Sequence, residues 1–277
     1  MTVKETLNCA RKLLEDSRID DASFEGELLL RRVTGQSRAR LYSDLESEIS
    51  PEQEAAFQQV IRRRLGGEPS AYIIGRREFY GLDFIVNPDV LIPRPETELL
   101  VEKVISLSGK YETPVIADIG TGCGTIAVSL AVNLPQAVIY ATDISPAALK
   151  IAEANCRSHG VAGRISIICG DMLEPLTEPA DIIVANLPYV KSSDIDACCR
   201  EPLSALDGGA DGLDKIRRLL HRIEGKLNPG GCLLLEIGIG QSEAVNGLLS
   251  RLFPAATVEI TQDLGGIDRM VCMALPD

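Results

Sequence analysis

Residues 114–134, PVIADIGTGCGTIAVSLAVNL, contain an apolar run typical of a buried strand, then a glycine-rich turn and a predicted helix. Glycines at such a turn let the backbone approach a ligand closely, and the first N–H groups of the next helix are free to bind it. The turn therefore predicts a site for a small, partly anionic ligand. Gly122, Gly124 and Ala127 also satisfy the dinucleotide-binding spacing, and glycines used only for tight packing are a further alternative.

Strands and helices alternate from this stretch to the end of the chain, a pattern that builds a parallel sheet. The predicted strands are residues 114–120, 137–144, 165–171, 181–186, 232–238, 256–263 and 268–275. The predicted helices include residues 125–134, 145–160, 214–227 and 242–253. The last two strands are separated only by LGGI, which is too short for a crossover helix, so they are expected to be antiparallel. The sequence thus predicts a Rossmann-like α/β fold with a mostly parallel seven-stranded sheet and a C-terminal antiparallel hairpin.

The N-terminal part of the chain has helical patterns instead. Thr2 with Glu5, and Ser50 with Gln53, are predicted capping boxes that begin helices. Further along, β-forming residues on both sides of Gly81 predict a short hairpin. We therefore expect three parts, namely a small α-helical domain, a hairpin linker and an α/β domain, at residues 1–75, 76–92 and 93–277.

Composition limits the classes of function. The chain has 277 residues and a net charge of −12, and this acidic balance argues against a nucleic-acid binder, which needs a surplus of cationic side chains. Its eight cysteines lack the paired spacing of zinc ligands, so we expect reduced thiols and no metal site. Acidic residues near the N-terminus are unlike a signal peptide, and no apolar run approaches the length of a membrane span. A cytoplasmic monomer without membrane association is expected.

Three predicted strands end in residues suited to one elongated ligand. Asp143 lies at the distance from the glycine turn at which an acid binds a ribose, although capping the next helix is its alternative role. Asp171 ends the following strand, where it could bind the exocyclic amine of an adenine between Ile144 and Met172. Because ligands of open α/β sheets bind where such strand ends meet, the three ends describe one crevice. S-adenosylmethionine fits it, with its amino-acid end at the glycine turn. The residues predicted to contact this donor are Gly120, Thr121, Gly122, Cys123, Gly124, Asp143, Ile144, Asp171, Met172 and Asn186.

Residues 181–190, DIIVANLPYV, predict a buried strand that ends in a polar, rigid loop. Asn186 would lie at the mouth of the crevice, where its side-chain oxygen and the Leu187 carbonyl could accept both N–H groups of an amide or an aromatic amine. Two such acceptors would orient the nitrogen toward a sulfonium methyl and stabilise the developing positive charge. Pro188 restricts the backbone of Leu187, and Tyr189 could pack on a flat substrate group and attract the sulfonium. An asparagine that caps a turn before a proline is the alternative.

Several stretches together resemble the bacterial family of release-factor glutamine methyltransferases. They are residues 68–102, 118–131, 142–155, 170–176, 181–190, 201–214, 233–241 and 263–271. IPRPETE and ALDGGADGLD are far more specific than the glycine turn, which any class I methyltransferase shares. The family usually has Asn-Pro-Pro-Tyr where this chain has Asn-Leu-Pro-Tyr, so Leu187 puts part of the loop's rigidity in doubt.

The resemblance implies a class I S-adenosylmethionine-dependent methyltransferase, with S-adenosylhomocysteine as the product. The acceptor would be the side-chain amide (N5) of the glutamine in the Gly-Gly-Gln loop of class I peptide chain release factors. It also implies that the helical domain helps to bind the release factor. The acidic balance of the chain, in turn, predicts that no nucleic acid is bound directly. The catalytic loop would be Asn186, Leu187, Pro188 and Tyr189, and these residues with Arg94 and Glu96 would form the substrate site.

Two other functions use the same motifs. The tetrapeptide also occurs in proteins similar to adenine-N6 methyltransferases of nucleic acid, which should have a basic surface. A non-catalytic module that binds adenosine or NAD would leave Asn186 without a role. The segments beside the tetrapeptide favour the glutamine.

Overall fold

The computed structural model describes residues 1–197 and 199–277, and the chain forms two compact units. One unit contains Met1–Arg76, and the other contains Arg77–Ala197 and Glu201–Asp277. None of the helices described is both long enough and apolar enough to cross a membrane. The seven cysteines described are free thiols, and the expectation for Cys198 lies outside the described residues.

The first unit is helical. Its helices are α1 (Val3–Asp16), α2 (Ala22–Thr34), α3 (Arg38–Ser43), α4 (Pro51–Leu65) and α5 (Ser70–Ile74). Both predicted capping boxes are present: the Thr2 hydroxyl accepts from Glu5 N while the Glu5 carboxylate accepts from Thr2 N, and Ser50 and Gln53 make the same exchange. The inward faces of the helices bury one apolar cluster that includes Leu14, Leu29, Leu30, Leu41, Phe57 and Ile61.

A two-stranded sheet follows along the chain, formed by β1 (Arg76–Phe79) and β2 (Leu82–Ile85) and belonging to the second unit from Arg77 onward. After it comes the seven-stranded sheet that the sequence predicts. The seven strands are β3 (Val115–Ile119), β4 (Val138–Asp143), β5 (Ile165–Cys169), β6 (Ala180–Ala185), β7 (Leu227–Glu236), β8 (Thr257–Gln262) and β9 (Asp268–Ala274). Their order is β5-β4-β3-β6-β7-β9-β8. The first five are parallel, whereas β9 is antiparallel to both β7 and β8, so the expected C-terminal hairpin is confirmed.

Helices cover both faces of this sheet. They are α6 (Glu98–Ser108), α7 (Thr125–Asn133), α8 (Pro146–Ser158), α9 (Leu203–Leu206), α10 (Asp214–Leu220) and α11 (Ser242–Leu252). Successive strand residues belong to opposite cores, with Ile116 in one apolar cluster and Ala117 in the other. Burial on both faces explains why the central strands read as continuous apolar runs.

The predicted helix at residues 214–227 is wrong in its second half. α10 ends at Leu220, and β7 already begins at Leu227. Two tight turns fill the gap, and Gly225 has a φ of 71°, a left-handed conformation that a helix cannot contain. Of its apolar residues, Leu227 begins the strand and Ile223 packs into the apolar cluster from the turns, so neither extends the helix.

A buried asparagine connects three elements of the second unit. Asn155 in α8 has 0 % exposure; its Oδ1 accepts from Ile85 N at 2.7 Å, and its Nδ2 donates to Ile85 O at 3.0 Å and to Cys123 O at 2.8 Å. One side chain thus satisfies the backbone of β2 and of the glycine turn. The Cys123 carbonyl bond is buried and the two Ile85 bonds are partly buried, so water is a poor substitute for this side chain.

We predict that Asn155→Ala lowers the free energy of unfolding by about 2–4 kcal/mol, because it removes one buried and two partly buried hydrogen bonds to the backbone. Urea denaturation measures the loss. Asn133→Ala is the matched control. Asn133 is exposed at the end of α7, and among the described residues its side chain bonds Ser129 O alone, so its cost should stay at about 0.5 kcal/mol. Equal losses in the two variants would contradict the connecting role of Asn155.

Candidate active site

A cavity of about 440 Å³ opens where the central strands end. Twelve of the residues predicted from the sequence line it: Arg94, Gly120, Thr121, Gly122, Cys123, Asp143, Ile144, Asp171, Met172, Asn186, Leu187 and Pro188. Three other predicted residues do not line the cavity in the described part of the chain: Glu96, Gly124 and Tyr189. The glycine turn, the two acids and the asparagine loop therefore share one cavity.

The glycine turn is held in a left-handed conformation. Gly120, Gly122 and Gly124 have φ values of 74°, 58° and 84°. A Cβ at Gly124 would lie 3.2 Å from the Cβ of Ala152, so this glycine is needed for packing on α8. A Cβ at Gly122 would meet no atom within 4 Å, which means that Gly122 faces open space where a ligand could approach the backbone.

A fully buried carboxyl group supports the turn from below. Asp118 accepts from the Thr121 hydroxyl at 2.6 Å and from Ala127 N at 3.2 Å, while its Oδ1 is buried without a partner among the described residues. Burial raises the pKa of Asp118 to about 7, although its two hydrogen bonds favour the charged form; Asp143 raises this pKa further. The sequence pattern had given Asp118 no role.

Asp143 links the first turn to the next one. Its Oδ2 accepts from Gly122 N at 2.9 Å and its Oδ1 accepts from Ser145 N at 2.8 Å. The cap of α8 is Ser145, whose hydroxyl accepts from Ala148 N. Asp143 is thus held rigidly at the cavity wall and is not the side chain that caps the helix.

The other predicted acid is paired with cations. Arg218 and Arg222 both contact Asp171 Oδ2, and the sequence gave no sign of these pairs. Met172 follows at a φ of 54°, rare for a side chain of this size, and its carbonyl accepts from the Thr142 hydroxyl. Ile144 also lines the cavity and is 65 % exposed.

Close backbone packing fixes the asparagine loop. A Cβ at Gly208 would lie 2.8 Å from Pro188 O and 2.8 Å from Tyr189 Cα, and a Cβ at Gly212 would lie 2.3 Å from Tyr189 O. Gln241 adds a bond from its Nε2 to Tyr189 O at 3.0 Å. Gly208 and Gly212 of ALDGGADGLD are therefore required so that this segment can lie directly against the loop.

Behind the loop lies a second buried carboxyl group, Glu236, with 2 % exposure. The Thr97 hydroxyl donates to its Oε2 at 2.6 Å, and the Tyr189 hydroxyl donates to its Oε1 at 3.0 Å. Asn186 Nδ2 in turn donates to Thr97 Oγ1 at 3.0 Å. Burial raises the pKa of Glu236, and burial together with this carboxylate raises the pKa of Tyr189. Thr97 and Glu236 had no predicted role; the only signal was a single acid within the apolar run LLLEIG.

The two predicted residues before α6 occupy different positions. Arg94 lines the cavity and pairs with Glu201, whose Oε2 also accepts from Ile92 N at 2.9 Å. Glu96 lies 3.9 Å from Arg269. Within residues 1–197 and 199–277, no group of His, Cys, Asp and Glu side chains is arranged to hold a metal ion.

Comparisons with known proteins agree with the fold. Residues 5–75 match the family model described as the PrmC N-terminal domain, and residues 95–203 match the methyltransferase small domain. A solved ribosomal protein L11 methylase from Lactobacillus delbrueckii has a TM-score of 0.53 and 18 % identity, covering 69 % of this chain and 84 % of that one. At this identity the likeness concerns the fold alone.

Two curated relatives are similar over nearly their whole length. The release factor glutamine methyltransferase of Moorella thermoacetica is 43 % identical over 97 % of both chains. That of Geobacter sulfurreducens is 40 % identical over 98 % of this chain and 95 % of the relative.

We predict that Asp118 makes the free energy of unfolding fall as pH rises from about 4 to 7. Its pKa is raised from 3.8, so the folded state binds more protons than the unfolded state in this window, and the loss is roughly 1.4 kcal/mol per pH unit. Asp118→Asn keeps a neutral group of similar shape and should flatten that slope. Urea denaturation at pH 4.5, 5.5 and 6.5 measures it; an unchanged slope in the variant would contradict the prediction.

Proposed function

Because the chain belongs to the release factor glutamine methyltransferase family, we propose that it methylates the Gly-Gly-Gln glutamine of class I peptide chain release factors. The methyl group goes from S-adenosylmethionine to the side-chain amide nitrogen (N5). One structural observation carries the proposal: Asn186 lines the same cavity as the glycine turn. The Asn186 amide and the glycine turn could therefore contact an acceptor and a donor bound side by side in this cavity.

The residues of the cavity fit the proposed donor. Its volume falls within the range of small-molecule sites, and Gly122 leaves room for a close backbone contact. The glycine turn would bind the amino-acid end, and Asp143 would accept from the ribose hydroxyls. Asp171 would receive the adenine amine on the oxygen that the arginines leave, with Met172 and Ile144 against the ring. When bound, the donor supplies an electrophilic methyl carbon on a positively charged sulfur.

The asparagine loop would prepare the acceptor. An amide nitrogen is a poor nucleophile because its lone pair is delocalised into the carbonyl. Asn186 Oδ1 and the Leu187 carbonyl would accept its two N–H groups, hold the nitrogen in line with the methyl carbon and stabilise the positive charge that forms on it. The carbon–sulfur bond breaks as the carbon–nitrogen bond forms, leaving S-adenosylhomocysteine, and the nitrogen loses its extra proton to water. A dedicated histidine base is not needed for this step.

The remaining parts of the proposal concern partners. We propose that residues 1–75 help to bind the release factor, that residues 93–277 carry the chemistry and that residues 76–92 join them. Tyr189 and Arg94 would contribute to the acceptor side of the site, and Glu96 would act indirectly through Arg269. The enzyme would work as a monomer in the cytoplasm, where translation terminates, and its net charge of −12 disfavours nucleic acid as the acceptor.

We predict that incubating the protein with S-adenosylmethionine and a class I release factor adds one methyl group to the Gly-Gly-Gln glutamine. Mass spectrometry of the digested factor locates it. A release factor whose glutamine is replaced by alanine is the control and should stay unmodified. Ribosomal RNA with labelled donor is the competing acceptor; label in RNA alone would identify an adenine methyltransferase, and label in neither would favour a binding module.

We predict that two variants of the site lose different steps, turnover in one and donor binding in the other. Asn186→Ala should reduce kcat about a hundredfold, the scale for removing one oriented polar group, while donor affinity stays within a few-fold. Asp143→Ala should instead weaken donor binding, since it removes the proposed ribose contact and loosens the glycine turn. Calorimetric titration and single-turnover kinetics separate the effects. Full turnover by Asn186→Ala, or undiminished donor affinity in Asp143→Ala, would refute the corresponding assignment.

A further inference from the structure

The carboxyl group of Glu236 is buried without a cationic partner. No lysine or arginine of the described chain lies within salt-bridge distance of it, and the nearby Arg269 pairs with Asp263 and Glu96 instead. Its two oxygens are occupied by the hydroxyls of Thr97 and Tyr189. Burying a carboxyl group costs free energy, because the group loses its contacts with water. We therefore ask what the two hydroxyl groups bonded to Glu236 do at the site.

The direction of the Thr97 hydroxyl proton determines which end of the Asn186 amide can bond to Thr97. A threonine has one O–H donor, and here it is given to Glu236 Oε2 at 2.6 Å. The oxygen of Thr97 can then only accept. Asn186 must therefore present its NH2 group to Thr97, as the 3.0 Å contact from Nδ2 records.

The two ends of an asparagine amide point in opposite directions. With Nδ2 held by Thr97, Oδ1 is turned away from it, and among the described residues no donor bonds to Oδ1. The acceptor end of Asn186 is thus left for a ligand in the cavity that it lines. The reverse orientation would place N–H donors against the N–H donors of a substrate amide.

We propose that Glu236 and Thr97 are positioning residues that fix the amide orientation of Asn186, so that its oxygen faces the acceptor glutamine. This rests on the proposed function, because only an N–H acceptor role for Asn186 gives the orientation a purpose. The same carboxylate also accepts from the Tyr189 hydroxyl. Glu236 thus holds one end of the Asn186–Tyr189 loop directly and the other end through Thr97.

Two substitutions at Thr97 form a matched pair. Thr97→Val keeps the shape of the side chain and removes the hydroxyl, whereas Thr97→Ser keeps the hydroxyl. We expect Thr97→Val to lower kcat about ten- to a hundredfold, with donor affinity and the KM for release factor within a few-fold. Thr97→Ser should restore kcat to within a few-fold of the natural enzyme. Equal kcat in the valine and serine variants would overturn the proposal.

Because Glu236 acts through Thr97, their effects should not multiply. Glu236→Leu should lower kcat at least as much as Thr97→Val, since it also releases Tyr189, and the double variant should be no slower than Glu236→Leu alone. If the fold-losses in kcat of the two single variants multiplied in the double variant, Glu236 and Thr97 would act independently. That result would overturn the proposal that Glu236 acts through Thr97.

A spectroscopic readout needs no substrate and separates this inference from the proposed function. The ¹⁵N resonance of the Asn186 side-chain NH2 can be identified by its absence in Asn186→Ala. In the natural enzyme its protons should exchange slowly, as expected for a hydrogen-bonded group, and exchange should speed up in Thr97→Val but not in Thr97→Ser. Rapid exchange in the natural enzyme would overturn the orientation, even if the glutamine is methylated; slow exchange in an enzyme that leaves the glutamine unmodified would refute only the function.

Discussion

The parallel register of β3 and β6 is the constraint on which the site depends. Ile119 is paired with Ala185, so the next residue of each strand, Gly120 and Asn186, leaves the sheet at the same point. β3 also pairs Ile119 with Thr142 of β4, which brings Asp143 to the same edge. A slip of one residue would turn the asparagine to the opposite face of the sheet. Burial of both sheet faces prevents that slip, because it would carry every apolar side chain of the strand to the wrong layer.

Two buried acids support the site in the same way. Asp118 lies under the glycine turn and accepts from the Thr121 hydroxyl, and Glu236 lies behind the asparagine loop and accepts from the Thr97 hydroxyl. Hydroxyl partners satisfy an acid without adding positive charge. A lysine or arginine in either place would repel a sulfonium in the adjoining cavity, whereas an acid bonded to hydroxyls does not. Burial without a cation disfavours the charged form of each acid, and the pKa of each is raised for this reason.

The sequence predicted the features that depend on neighbouring residues. Strand periodicity, capping boxes and the LGGI turn are local, and the seven strands, both boxes and the C-terminal hairpin are confirmed. The end of α10 was missed because apolar residues before a strand resemble a helix until the sheet pairs them. The link between Thr97 and Glu236 joins residues 139 positions apart. The two arginines on Asp171 lie 47 and 51 positions away, Arg218 in α10 and Arg222 in the turn after it. No local pattern reports such contacts, since topology alone brings them together.

The leucine at position 187 shows how the fold compensates for a local change. A proline there would stiffen the loop through its own ring, and Leu187 gives that up. Its side chain is instead 5 % exposed, and a Cβ on Gly120 would lie 3.2 Å from its Cδ2, so it packs against the glycine turn. Backbone bonds from Val190 N to Leu206 O and from Gly208 N to Val190 O secure the loop just beyond it. Rigidity at this site is therefore a property of the packing around the loop, and the Leu187 carbonyl can keep a fixed direction without a second proline.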